Sequence, residues 1–207
     1  MPKSLKPRKT PIQERSGQTV EAIFEATIQV LLKDGVKNLT TTRVAERAGV
    51  SVGSLYQYYP NKEALLIAML EKHLDIVGAT CQIACRESHN LPLDAMMANI
   101  IDAFVDAKMK KKDISLAIAE LISEVSCVPM YTQVVKQIEI ELTTMLGTLP
   151  GVQTEKIPFV VSMMLATMGG ATKMVMDRMS PPHLVKRLKQ TLQAMFTALI
   201  KTELLFT

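Results

Sequence analysis

Few of the side chains that carry catalysis or hold metals are present. The 207-residue chain has three histidines and three cysteines. It contains no H-E-x-x-H pair, no glycine-rich phosphate loop and no serine, histidine and aspartate set that could act as a triad. Metal-assisted hydrolysis, nucleotide-dependent transfer and nucleophilic catalysis each need one of these. No catalytic residue, cofactor or metal site is therefore expected. His73, Val77, Cys81, Cys85 and His89 do recur at i+4, a spacing that could hold zinc or sense oxidants. A closed metal site usually needs four ligands, however, and small thiols on an inward helix face are ordinary core residues. Long apolar runs are lacking too. The longest uncharged run, Ile157 to Thr172, is 16 residues long, short of the roughly 20 a membrane helix needs. The N-terminus is basic and proline-bearing without an apolar stretch, so no signal peptide is expected. Few cysteines and no export signal point to a reducing cytoplasm and no membrane partner.

What is present is an apolar chain with uneven charge. Hydrophobic residues make up 48%, enough for a core, and the net charge is +4. Residues 1–62 carry 10 Lys/Arg against 5 Asp/Glu, whereas the remainder carries 14 against 15. The basic excess therefore sits in the first part, as a phosphate-binding half requires. Within it, residues 1–17 read as a flexible tail. Lys3, Lys6, Arg8, Lys9 and Arg15 face only Glu14, and Pro2, Pro7 and Pro11 prevent helix. Such a tail is either a solvated leader or an arm that follows phosphates into a minor groove.

The most informative stretch is TTTRVAERAGVSVGSLYQYYPNKEALL, Thr40 to Leu66. Val44, Ala45 and Ala48 give one apolar face of a short helix. Gly49 follows where the chain must turn through positive φ. Ser51 stands at an N-cap position, and Leu55 and Tyr59 recur at i, i+4. Pro60 ends that helix, and Asn61 can cap the next. Two short helices about a glycine turn form a helix-turn-helix, whose second helix can enter the DNA major groove. Gly53 is unusual inside a helix, but it lets a backbone approach DNA closely. Tyr59 shares the Leu55 face and is expected in the core, whereas Tyr56 and Tyr58 can aim hydroxyls at phosphates. A helical hairpin packed only for stability has the same spacing.

This stretch resembles the DNA-binding core of the tetracycline-repressor (TetR) family of bacterial regulators. The family pattern runs from a threonine pair through A-x-x-A-G-V-S-x-G-x-x-Y-x-[HY]-[FY]-x-x-K-x-x-L. Here it is met by Thr41-Thr42, Ala45 to Ser51, Gly53, Tyr56, Tyr58, Tyr59, Lys62 and Leu65. The resemblance covers Gln18 to Leu70; the rest is similar only in size and helical character. It implies an all-α fold of about nine helices: a three-helix helix-turn-helix DNA-binding domain at 18–62 and a helical ligand-binding and dimerisation domain at 63–207. It implies that Thr41, Ser54, Tyr56, Tyr58 and Lys62 bind phosphates, with Arg43 adding charge there and Arg47 doing the same. Thr42, Val52, Gly53 and Gln57 then lie nearest the bases. Gln57 can pair bidentately with adenine. Thr42 stands where some members carry a base-reading arginine.

The remaining helices follow the apolar periodicity. Gln18–Lys33 is closed by Asp34-Gly35, and Lys62 to about Arg86 is long enough to link the two domains. Asn90-Leu91-Pro92 breaks the chain. Helices are then expected over 93–109, 114–126, 129–149, 158–179 and 181–205, the last with Ser180 as N-cap and Pro181 in its first turn. Lys110-Lys111-Lys112-Asp113 reads as a solvated corner. Thirteen of the 14 methionines follow Lys62. Met96, Met97, Met130, Met163 and Met164, with Phe104, are candidate walls for a small hydrophobic ligand; irregular core filling is the plainer use of methionine. The last two long helices carry more apolar surface than a small domain hides. Val161, Leu165, Met168, Gly169, Leu188, Leu192, Met195 and Leu199 are therefore candidates for a four-helix homodimer interface. The expected function is a transcriptional repressor, a homodimer on a palindromic double-stranded DNA operator, released by a small hydrophobic ligand. An activator or a ligand-independent DNA binder on the same scaffold are the alternatives, with a small helical enzyme last.

Overall fold

The computed structural model describes residues 14–116, 128–177 and 181–205. Among these residues every regular element is helical and no strand occurs. In chain order the helices are α1 (Glu14–Asn38), α2 (Thr41–Ala48), α3 (Val52–Tyr58), α4 (Lys62–Glu87), α5 (Leu93–Lys110), α6 (Val128–Leu146), α7 (Ile157–Asp177) and α8 (Pro182–Ile200). A further helical stretch spans residues 112–116, and a 3-10 turn at Thr154–Lys156 leads into α7. The chain continues past α8 in wide turns over Lys201–Leu205. The all-α expectation holds. The basic tail and the helix expected over 114–126 lie largely outside the described residues.

The chain divides into two compact units. One contains the described residues up to His73 and those at 113–116; the other contains 74–112 and the described residues from 129 onward. The division falls inside α4, between His73 and Leu74, rather than at Lys62. In the first unit α1 is one helix by residue count, but Gly35 breaks it with φ 74° and ψ 169°. This is the stop that Asp34-Gly35 signals, followed by one more turn. Ile23, Val30, Leu39, Val44, Leu55 and Leu65 are all buried and form the centre of this unit. Phe24 meets Tyr59 edge-on, with ring centroids 6.2 Å apart at 87°. Thr27, also buried, donates its hydroxyl to the Ile23 carbonyl at 2.7 Å, so its polar group is satisfied within α1.

The second unit is built around α5, α7 and α8, each of which packs on the other two. Asn90, with φ 60°, turns the chain between α4 and α5; asparagine tolerates that left-handed conformation better than most residues. Met96, Met97, Ile100, Ile101 and Val105 seal the inner face of α5. Lys189 on α8 holds Asp102 at 3.0 Å and Asp106 at 2.7 Å, both on α5. The backbone N–H of Gln153 donates to the Leu204 carbonyl at 3.0 Å, which ties the last turns to the start of α7.

Several helix starts differ from expectation. α1 begins at Glu14 rather than Gln18, so residues 14–17, expected in the tail, are helical, and α6 begins at Val128 rather than Pro129. α7 begins at Ile157, because Pro158 sits within the first turn, where no partner for its missing N–H is needed. α8 has Pro181 as its N-cap and Pro182 at its first position, one residue later than the sequence suggests; Ser180 lies outside the described residues. α6 ends at Leu146, before Leu149, where Gly147 and Thr148 turn back onto Thr143 and Met145. Among the described residues one helical stretch, Thr154–Asp177, is long and apolar enough to cross a membrane by length and composition, and 39% of its most apolar window is buried.

Candidate functional site

Each bend of the helix-turn-helix is fixed by a local hydrogen bond. The Thr40 side chain accepts from the Arg43 N–H and caps α2. Gly49 ends α2 in the left-handed conformation, φ 67°, where its N–H and that of Val50 return to the Glu46 and Ala45 carbonyls. A residue with a Cβ is disfavoured at that φ. Ser51 caps α3, accepting from the Ser54 N–H at 2.9 Å. The two serine hydroxyls also bond to each other at 2.8 Å. Asn61 Oδ1 accepts from the Ala64 N–H at 2.7 Å and starts α4. The sequence marks Gly49, Ser51 and Asn61 as turn or caps; it does not single out Thr40.

With α3 held in this way, its buried and exposed faces separate. Leu55 and Tyr59 are sealed in the core, and burial pushes the Tyr59 phenol up to about 12, with Glu21 and then Tyr58 adding to the shift. Tyr59 is thus a packing residue. Gly53, Tyr56 and Gln57 are exposed; Val52, Ser54 and Tyr58 are half-buried. A Cβ on Gly53 would meet only the Ser51 hydroxyl, at an ordinary 3.7 Å. Among the described residues, then, none demands glycine at this position.

Several of the expected anion-contacting side chains are engaged with the protein itself. The Thr41 and Tyr56 hydroxyls bond at 3.0 Å, clamping the start of α2 to α3. Lys62 donates its Nζ to the Val36 carbonyl at 2.6 Å, just past the Gly35 break. An ammonium has three protons, so two are left by that contact. Arg43 pairs with Asp34 at 3.2 Å and donates to the Asn38 carbonyl at 3.3 Å. Arg47 donates to Gln29 on α1. Thr42 is exposed on α2. The sequence marks Asp34 only as part of a helix stop and gives no signal that Asp34, Val36, Asn38 and Gln29 act as anchors. They are found only when α1 is folded against α2 and α4.

The chain is similar to known proteins in both units. Residues 23–69 match the family model for bacterial regulatory proteins of the tetR family. Residues 92–199, more than half the chain, match the tetracyclin repressor-like C-terminal domain. The chain belongs to the TetR family. Among its relatives, the tetracycline repressor class C of Escherichia coli is 43% identical over 56 residues, 27% of this chain and 26% of that one. The repressor KstR of Mycolicibacterium smegmatis is 39% identical over 57 residues, 28% of each chain. These matches thus span little more than a quarter of either relative. A TetR regulator from Haloarcula marismortui superimposes with a TM-score of 0.71 at 21% identity, covering 91% of this chain and 99% of that one. FadR of Bacillus subtilis, solved in complex with stearoyl-CoA, superimposes at 0.69 with 17% identity, covering 85% and 96%. At these identities the superpositions show the fold alone.

In the second unit of this TetR-family chain a cavity of about 280 Å³ is lined by Leu74, Val77, Phe104, Lys108, Tyr131, Val134, Val135, Ile138, Leu165, Ala166 and Gly169. Of the described residues expected to line a pocket, Phe104 lines this cavity. Met96, Met97 and Met164 are fully buried core, and Met163 is 43% exposed on the surface. The side chain of Met130 lies outside the described residues. The walls of this cavity are mostly branched aliphatics of α4, α6 and α7.

The candidate dimer residues divide in the same way. Val161, Met168, Leu188 and Leu192 are buried within the chain, and Leu165 and Leu199 are half-buried. Gly169 and Met195 are exposed. The outward face of α7 is instead Phe159, Met163, Ala166, Gly170 and Met174, spaced three and four apart. That of α8 carries Ala194, Met195 and Ala198. Periodicity identified these helices as apolar on more than one side; packing decides which side is outside.

Cys81 and Cys85 are free and buried, and burial pushes both thiols up to about 12. Both thiols are therefore held protonated near neutral pH, which lowers their reactivity towards oxidants. Among the described residues no group of three or more His, Cys, Asp or Glu could hold a metal ion.

Proposed function

We propose that this protein is a cytoplasmic, ligand-responsive transcriptional repressor that binds a near-palindromic operator as a homodimer. The observation that carries the reading is α3 itself. It is capped by Ser51, anchored by Leu55 and presents Gly53, Tyr56 and Gln57 outward. In the major groove Gln57 would read adenine, while Val52 and Gly53 allow close approach. Thr41, Ser54, Tyr56, Tyr58, Arg43 and Lys62 would hold phosphates, and Thr42 would face the groove from α2.

Dimerisation would use the exposed faces of α7 and α8. Phe159, Met163, Met174 and Met195 are 60%, 43%, 53% and 50% exposed, an amount of open apolar surface that favours a partner. A second copy of those faces would place two copies of α3 about one DNA turn apart, or a multiple of that. It would also cover the apolar helix that by composition alone could be taken for a membrane span.

Release would run through α4, which contributes Leu74 and Val77 to the cavity and Lys62 to the DNA-facing unit. A small, mainly apolar ligand would have to bind the non-DNA-binding form better, by about 1–3 kcal/mol for a typical coupling. Selection of bound DNA from random sequence, followed by release with an apolar compound library, tests the whole reading. Enrichment of an inverted repeat and its release by a compound is the expected result. Recovery of DNA without any enriched sequence would overturn the operator reading.

A further inference from the structure

One glycine of the second unit is held to that identity by a neighbour. Gly78 is buried on the side of α4 that carries Leu74 and Val77, both of which line the cavity. A Cβ at that position would stand 3.0 Å from Val134 Cγ1 on α6. Carbon atoms in contact prefer about 3.5–4.0 Å. Glycine inside a helix is unfavourable relative to alanine, and a neighbour this close accounts for its use here. Val134 is itself part of the cavity wall. It therefore touches both the bare backbone of α4 and the space a ligand would fill. We infer that Gly78 is a specificity-determining residue that acts through Val134. By letting that wall stand back, it sets the longest apolar chain the cavity admits. This deepens the sensor reading of the cavity and rests on it.

The direction follows from what can yield. Ile138, Leu142, Met145 and Leu146 hold α6 in the same apolar cluster as Val77, Cys81 and Cys85 of α4. Arg86 on α4 donates its Nε to Glu141 on α6 at 2.9 Å. Moving α6 away from α4 as a body would disturb all of these contacts. Val134 is only half-buried and has the cavity beside it. A methyl group at position 78 is therefore relieved by Val134 leaning into the cavity. Valine has one strongly preferred χ1 in a helix, so the whole side chain leans rather than changing rotamer. The shortfall from ordinary contact is about 0.5–1 Å, and a wall side chain moved that far takes up space on the order of one methylene. That is a readable fraction of the cavity. At roughly 30 Å³ per water, its volume of about 280 Å³ corresponds to a ligand of about nine non-hydrogen atoms. The competing arrangement is that Gly78 only allows α4 and α6 to pack and has no bearing on ligand length.

Straight-chain alcohols from 1-hexanol to 1-decanol measure that length directly. In calorimetric titration of the full-length protein without DNA, binding should tighten about fourfold per added methylene up to a limiting length. Gly78→Ala should shorten the limit by about one carbon. The alcohol at the original limit should weaken about fourfold, and shorter ones should stay within about twofold. Val134→Ala should lengthen the limit. Adding Gly78→Ala to Val134→Ala should bring it back to the original length, because the new methyl then fills space that Cγ1 has left. That comparison stands even if Gly78→Ala alone does not fold, and the ligand-free melting temperature of each variant establishes folding. A glycine needed only for packing would change melting temperature and weaken every alcohol equally. Equal weakening at all lengths, or an unchanged limit in folded Gly78→Ala, would overturn the inference. So would a double variant with the limit of Val134→Ala, or a limit moved to longer alcohols by Gly78→Ala, since α6 would then yield as a body. Failure of every alcohol to bind up to its solubility overturns it too, and leaves the DNA-binding reading to operator selection. Length-selective binding without release of operator DNA keeps the role of Gly78 and removes the inducer role.

Discussion

The two units hold their candidate functional side chains by different means. In the first, positions on α2 and α3 are fixed by directional contacts: the Ser51 cap, the Asn61 cap, the Thr41–Tyr56 hydroxyl pair and the Lys62 bond to the Val36 carbonyl. In the second, the cavity wall is held mainly by shape, with Val77, Ile138 and their neighbours packed into one large apolar cluster. Hydrogen bonds have preferred angles and lengths, so they place a side chain narrowly. Dispersion contacts are individually weak and tolerate volume-conserving exchange. A surface that must match a fixed DNA groove suits the first kind of construction. A cavity that must suit a small molecule can be rebuilt through the second.

This contrast can be broken most forcefully at the core of each unit. Leu55→Ala and Met97→Ala remove side chains that are equally sealed, and each should cost about 2–5 kcal/mol in thermal or urea unfolding. DNA binding should be abolished by Leu55→Ala alone when both variants are assayed below their transitions. Equal loss of DNA binding in the two would mean that α3 is not positioned by its own unit.

Glycine supplies the next effect, with opposite signs at two positions. Gly49→Ala forces a Cβ into a left-handed conformation and should destabilise by about 1–2 kcal/mol. Gly53→Ala meets no close neighbour in an exposed helix and should stabilise the free protein by up to about 1 kcal/mol. The same Gly53 change should weaken DNA binding if the backbone there must approach the groove. A melting temperature that rises while operator affinity holds would remove Gly53 from the interface.

A smaller and more diagnostic change is Lys62→Ala. Loss of one phosphate contact should weaken all DNA sequences about equally and reduce the salt slope by roughly 1. An unchanged slope would leave Lys62 with the Val36 carbonyl as its only task. Gln57→Ala should instead relax preference at one base position.

The weakest effect is alkaline. The thiols of Cys81 and Cys85 are pushed up from 9.0, and the Tyr59 phenol from 10.0, to about 12 each. The unfolded chain therefore releases these protons first, which stabilises it as pH rises. Melting temperature should be insensitive to these groups below pH 9 and should fall between about 9 and 12. Cys81→Ala with Cys85→Ala should flatten the early part of that fall. Below pH 9 both thiols should resist alkylation in the folded protein, as checked by peptide mapping.

How much of this was legible in the sequence follows the same division. Caps and turns obey local rules, so Gly49, Ser51, Asn61 and the length of α4 could be read from neighbouring residues. Thr41 and Tyr56 could each be named, but not their hydroxyl pair, which joins residues 15 positions apart. Apolar periodicity located α5, α7 and α8 yet could not decide which face of α7 is outside, because Val161 and Met163 are equally suited to either side. The cavity was not legible because a void is defined by what several helices leave unfilled, and no residue type encodes that. Lys108 falls inside an otherwise amphipathic helix and has the look of any solvated lysine.

The Thr41–Tyr56 contact sets a limit on what that corner can give. Two hydroxyls carry two protons, and one of them lies between the oxygens, so only a single proton can be lent outward at a time. An incoming phosphate oxygen would decide which residue lends it and, with that choice, which way the internal bond runs. The pair would then act as one rotor with two settings, and Tyr56→Phe would strip it of the choice while leaving Thr41 its own proton.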